Sequence, residues 1–229
     1  MKYLKDIKDR KEMKNQVICA DCLDGMKLIP DKSIDLILTD PPYGIGASKG
    51  SFMRQGKQTG KSKCVSGLNY TASDWDNEPP NKEAFNEIFR ISENQVVFGG
   101  NYFVEYLYNS PCWIVWDKNN GNNRYADCEL AWTSFKTAVR KFKHTWHGMI
   151  QENMKHKDMR VHPTQKPVEL MRWILENYSK EGDLICDPFM GSWTMARACK
   201  DLGRDFIGFE LDENYCKIGE KRLQQEVLF

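Results

Sequence analysis

The chain has 229 residues, with 33 Lys and Arg against 32 Asp and Glu, so its net charge of +1 does not by itself advertise a nucleic-acid partner. That length predicts one domain over 1–229 with a substantial core. No apolar stretch approaches the ~20 residues of a bilayer span, and the charged start at Lys2, Lys5 and Asp6 lacks a signal-peptide core, so a cytoplasmic protein is expected.

In chain order, the first strand is expected at 16–20, ending in Cys19, Ala20, Asp21 and Cys22. This lone CxxC has no second pair to complete a zinc site and is read as a strand end. The eight cysteines are scattered through apolar runs, which fits reduced, buried thiols rather than a disulfide scaffold. A second strand at 34–39 stops at Asp40-Pro41-Pro42-Tyr43. The next segment, 44–73, reads as a flexible basic loop: Lys49, Arg54, Lys57, Lys61 and Lys63 stand without an acid among many Gly and Ser.

A helix at 81–91 places Phe85, Ile88 and Phe89 on one face, and a strand follows at 95–99. Two β-rich runs, 112–117 and 128–135, flank a turn-rich connection suited to an antiparallel hairpin at the sheet edge. From 136 to 160, Lys136, Arg140, Lys141, Lys143, Lys155, Lys157 and Arg160 outnumber two acids and interleave with Phe142, Trp146 and His147. This second basic stretch reads as a phosphate-contacting surface or as a solvated hairpin. Helices at 167–178, 192–202 and 213–225 alternate with strands at 184–186 and 205–210. The alternation predicts an α/β fold with a mostly parallel, seven-stranded sheet covered on both faces.

Two strand ends carry the chemistry. Asp187-Pro188-Phe189-Met190-Gly191-Ser192 ends one strand and opens a helix, so backbone there can approach a ligand closely. The following strand ends at Glu210, about 20 residues beyond the glycine turn, the spacing at which an acid accepts hydrogen bonds from ribose hydroxyls. With neither G-x-G-x-x-G nor a P-loop lysine, a nucleoside without polyphosphate is favoured. At the other end, the prolines of Asp40-Pro41-Pro42-Tyr43 cannot donate backbone hydrogen bonds, so two outward carbonyls and the Asp40 carboxylate form an acceptor-only cradle. Such a cradle suits an amine with two N–H donors, and the Tyr43 ring offers a stacking surface for a flat heterocycle. The four histidines lack tight ligand spacing, and no metal is expected.

With these turns, His162-Pro163-Thr164-Gln165-Lys166-Pro167 before a helix and Phe206-Ile207-Gly208-Phe209-Glu210 stand in an order that resembles the β-type DNA amino-methyltransferases, which use S-adenosylmethionine. The resemblance implies a Rossmann-like methyltransferase fold with circularly permuted motif order. It implies that Asp187, Phe189, Gly191 and Ser192 surround the methionine part of the cofactor, that Glu210 binds its ribose and Asp21 its adenine amine, and that Thr164 and Lys166 contact its carboxylate region. Asp40 then lies between cofactor and target amine, with Pro41 and Pro42 completing the catalytic turn and Tyr43 stacked on the flipped base. The chemistry implied is direct displacement at the sulfonium methyl.

Adenine N6 is favoured over cytosine N4 because the family's cytosine enzymes more often begin the motif with Ser. Double-stranded DNA is the expected partner, with 136–161 as the target-recognition segment and Arg140, Lys141, Lys143, Trp146, His147, Lys57 and Lys61 as contacts. A homodimer is compatible with the family, and no membrane partner is expected. Alternatives remain in a protein-amide methyltransferase and in a non-catalytic DNA-binding protein. The latter draws on one departure: Trp193 stands where the family usually has a second glycine, which obstructs the turn unless the indole points away.

Overall fold

The computed structural model describes residues 11–45, 78–121, 126–147, 150–155, 157–162 and 164–224. The 44–73 loop expectation therefore falls almost wholly outside them. The elements in chain order are β1 (Gln16–Cys19), α1 (Cys22–Met26), β2 (Ile34–Thr39), α2 (Lys82–Ile91), β3 (Ser92–Phe98), β4 (Trp113–Asp117), β5 (Cys128–Thr133), β6 (Arg140–Lys143), β7 (Trp146–His147), β8 (Ile150–Gln151), α3 (Val168–Tyr178), β9 (Leu184–Asp187), α4 (Thr194–Leu202), β10 (Asp205–Glu210) and α5 (Glu213–Gln224).

Eight strands form one sheet in the order β1-β10-β9-β2-β3-β5-β4-β6, one more than expected. The addition is β6, whose sequence Arg-Lys-Phe-Lys hides its strand character because only Phe142 packs inward. It pairs parallel with β4 and takes the edge, so the β4–β5 hairpin lies one strand further in than predicted. Charged side chains on an exposed edge discourage pairing with another chain. The CxxC is likewise split: Cys19 ends β1, whereas Cys22 opens α1, capped by the Asp21 carboxylate.

β2 is buried on both faces, as a strand between two helical layers must be. Leu36 and Leu38 face α3 and α4, with Leu170, Ile174, Met195 and Ala198. Ile34 and Ile37 face α2, with Phe85, Ile88 and Ile91. The α2 face follows 3.6-residue spacing, and the Asn81 side chain caps its first turn. Each of the Leu, Ile, Met and Phe side chains contributes about 1.5–3 kcal/mol when fully buried.

Direction matters for the site. β3 pairs parallel with β2, β5 antiparallel with β3, and β4 antiparallel with β5. The end of β4, the start of β5 and the end of β6 therefore lie at the same rim of the sheet as Asp40.

Candidate functional site

Neighbours β9 and β2 feed chains that run to opposite sides of the sheet, β9 towards β10 and β2 towards β3. A crevice opens at the carboxyl ends of strands at such a reversal. The turns after β2 and β9 meet there. Thr39, the last residue of β2, donates its hydroxyl to Asp187 Oδ1 at 2.7 Å, and the Phe189 N–H reaches the same oxygen at 3.0 Å. Nothing in the sequence marked Thr39 as the link between the two motifs.

The crevice holds a cavity of about 580 Å³. Asp21, Asp40, Thr164, Lys166, Asp187, Phe189, Gly191, Ser192 and Glu210 all line it, together with His162, Asp212 and Tyr215, to which the sequence assigned no individual role. Glu210 closes the far wall. Its Oε2 accepts the Gly191 N–H at 2.7 Å and its Oε1 the Asp212 N–H at 2.8 Å, so β10 and the glycine turn are tied by one carboxylate. Burial pushes Glu210 up to about 7 despite these bonds. Burial likewise pushes Asp187 up to about 7, its hydroxyl and amide donors only partly offsetting the loss of water. His162, against the Tyr215 ring and near the Lys166 charge, is pushed down to about 4, mainly by burial, and is neutral.

Trp193 adopts the left-handed conformation at φ 59°. For a non-glycine residue that costs roughly 1–2 kcal/mol. The indole points away from the cavity and packs over Gly219 of α5, where a Cβ would come within 2.0 Å of the ring. A side chain at 219 is thus excluded by the tryptophan at 193. The turn stays open: a Cβ at Gly191 would meet nothing within 4 Å. The buried indole N–H has no hydrogen-bond partner.

The catalytic-turn candidates form a second, ionic cluster. Asp40 Oδ2 lies 2.5 Å from Lys166 Nζ, and Oδ1 accepts the Tyr43 hydroxyl at 2.6 Å. Lys166 also faces Glu129 Oε2 at 3.1 Å, and Lys118 pairs with Glu129 Oε1. Burial raises Asp40, with Lys166 opposing. Burial also works against the Lys166 ammonium, but its two carboxylates outweigh it and keep it charged. The Tyr43 ring is stacked on Tyr102 at 4.8 Å and its edge fits against Gly99, so one stacking face is already covered. Lys166, expected near a cofactor carboxylate, lines the cavity and is paired there with Asp40 and Glu129.

The second basic segment divides between an exposed edge strand, β6, and a buried aromatic on β7. Arg140, Lys141 and Lys143 are exposed, with Lys141 3.3 Å from Asp117. Trp146, expected as a DNA contact, is a core residue instead: it is 4% exposed and donates its indole N–H to the Gln165 carbonyl. A large aromatic in a charged stretch reads as surface only until the helix it packs near is known. β7 includes His147, and Lys57 and Lys61 lie outside the described residues.

A family model of N6/N4 DNA methylases matches residues 69–221. The chain is 28% identical to the Type II methyltransferase M.HinfI of Haemophilus influenzae over 92% of its own length and 68% of that protein's. It is 33% identical to the Type II methyltransferase M2.DpnII of Streptococcus pneumoniae, over 63% of this chain and 54% of that one. Among solved structures, the M1.HpyAVI–SAM complex aligns with a TM-score of 0.54 at 25% identity, covering 90% of this chain and 98% of that one. The cytosine-N4-specific PvuII methyltransferase aligns with a TM-score of 0.60 at 16% identity over 93% and 88%, a likeness of fold.

Proposed function

We propose that this chain, which belongs to the N6/N4 DNA methylase family, methylates the N6 amine of adenine in double-stranded DNA. Membership makes it an S-adenosylmethionine-dependent DNA methyltransferase. The choice of adenine rests on one observation: the acceptor turn begins with Asp40, where the cytosine enzymes more often have Ser.

The cavity suits the cofactor chemically. S-adenosylmethionine carries two cationic groups against one carboxylate, and among the described residues the lining offers Asp21, Asp187, Glu210 and Asp212 with no cation beyond Lys166, which Asp40 and Glu129 already engage. When bound, it supplies an electrophilic methyl group on a sulfonium. Glu210, its carboxylate fixed by two backbone donors, accepts the ribose hydroxyls. Gly191 lets the main chain approach without a side chain in the way.

At the other turn, the Asp40 carboxylate and the Pro41 carbonyl take the two N–H bonds of the target amine. That amine is a poor nucleophile because its lone pair is delocalised into the ring, and holding both hydrogens directs the lone pair out of the ring plane. To reach Asp40 Oδ1 the amine replaces the Tyr43 hydroxyl, which frees the ring to lie under the base. Asp40 then takes the surplus N–H proton. The Lys143 end of β6 lies at the same rim, where phosphates flanking the flipped base pass.

Incubation of the protein with duplex DNA and labelled S-adenosylmethionine, followed by nucleoside analysis, tests the reading. Label in N6-methyl-2′-deoxyadenosine is expected. Label in N4-methylcytosine overturns the choice of base, and no label in DNA overturns the activity.

A further inference from the structure

Lys166 Nζ stands 5.2 Å from the Phe98 ring centroid, over the middle strand β3, and bridges the acids of the strands on either side. Asp40 follows β2, and Glu129 lies near the start of β5. Beyond it, Lys118 follows β4. The four groups alternate in sign along one sheet rim: Asp40, Lys166, Glu129, Lys118. Phe98 beneath them is fully buried, and the side chains of Lys166, Lys118 and Glu129 are 6%, 17% and 23% exposed, so water screens these charges little.

The order of the row has a consequence. With Asp40 as its sole partner, Lys166 would place its whole charge on the carboxylate that must accept the target amine, and a carboxylate so neutralised is a weaker acceptor. Glu129 divides that charge. Its Oε2 meets Lys166 as an ion pair without an aligned hydrogen bond, so its pull is electrostatic. Lys118 on Oε1 in turn keeps Glu129 ionised: burial alone would raise its carboxyl, and the two lysines hold it below its ordinary value. We propose that Glu129 is a positioning residue for methyl transfer, holding Lys166 between two carboxylates and thereby setting the acceptor strength of Asp40.

This inference rests on the reading that Asp40 holds the target amine. The other groups around Asp40 do not supply the same control. Tyr43 donates to Oδ1 as a neutral hydroxyl, Asp187 at the end of β9 is held by Thr39, and His162 is neutral.

The test uses Glu129→Gln, which keeps shape and removes charge. Carbon NMR of the ligand-free protein should show the Asp40 titration moving to lower pH. The single-turnover methylation rate should fall about tenfold, as when a hydrogen bond to a charged group weakens, with cofactor affinity unchanged. Glu129→Asp should recover part of the rate. Lys118→Met should move the Asp40 titration the opposite way, upward, because a cation is lost and Glu129 draws harder on Lys166; this arm stands even where Glu129→Gln fails to fold. An Asp40 titration unmoved in both variants overturns the proposal. Asp40→Ala separates the two ideas: an active Asp40→Ala sinks the reading of Asp40, whereas an inactive one beside a Glu129→Gln with normal rate and titration sinks Glu129 alone.

Discussion

The two strand-end turns present similar sequences and bury their acids against different partners. Asp187, after β9, is held by a hydroxyl and an amide, with no cation in contact among the described residues, and burial lifts it to about 7. Asp40, after β2, is held by an ammonium and a phenol. The cofactor side of the crevice is therefore rich in acids and poor in cations, which favours a positively charged ligand. On the target side burial also raises the acid, and the Lys166 ammonium beside it opposes that rise. One Thr39 hydroxyl, at the end of β2, donates to Asp187 and ties the two turns.

The largest break in this comparison comes from the target side. Asp40→Ala is expected to lower methyl transfer by ~100-fold or more while calorimetry still detects cofactor binding. Retention of a tenth of wild-type turnover would remove Asp40 from its role.

On the cofactor side, Glu210→Ala should weaken S-adenosylmethionine affinity by about tenfold or more, since charge-assisted bonds contribute ~1.5–3 kcal/mol. Unchanged affinity would place the ribose elsewhere. DNA binding, carried by the other flank, should be unaffected.

A smaller effect sharpens the contrast through pH. Asp187 and Glu210 have folded-state pKa values of about 7, above those of the unfolded chain. Between pH ~4 and ~7 the folded state then binds more protons than the unfolded one, so these groups stabilise the ligand-free protein at the low end of that window and the contribution is lost as pH rises. The melting temperature of Asp187→Asn should vary less across the window than that of the wild type. Parallel curves for the two proteins would contradict the raised pKa. Glu129, held below its ordinary value, acts at lower pH and does not blur the window.

The smallest effect concerns the exposed edge. Replacing Arg140, Lys141 and Lys143 together by Ala should reduce the salt dependence of DNA affinity by about 0.9 per lost phosphate contact. Cofactor binding should stay the same. A variant with the wild-type slope would make β6 a solvated edge, and the search would turn to Lys57 and Lys61.

Trp193 shows where local reading stops. The glycine turn was legible as a motif, and the cost of a tryptophan within it followed from backbone sterics. Where the indole goes depends on Gly219, a residue 26 positions away on another helix. Lys166 is similar: its motif was visible, but its partner Asp40 is 126 residues earlier and Glu129 drew no attention at all.

The sequence by itself determined the alternation of strands and helices, the bounds of β2 and β10, and the two chemical turns, because apolar periodicity, proline and glycine act within a few residues. It also determined the family, through motifs whose order survives without coordinates. Only the tertiary structure decided which acid meets which cation, that Trp146 is core and Arg140 edge, and that Thr39 joins the halves of the site. Those outcomes depend on strand order and on which side chains water can reach, and neither is set until distant segments pack.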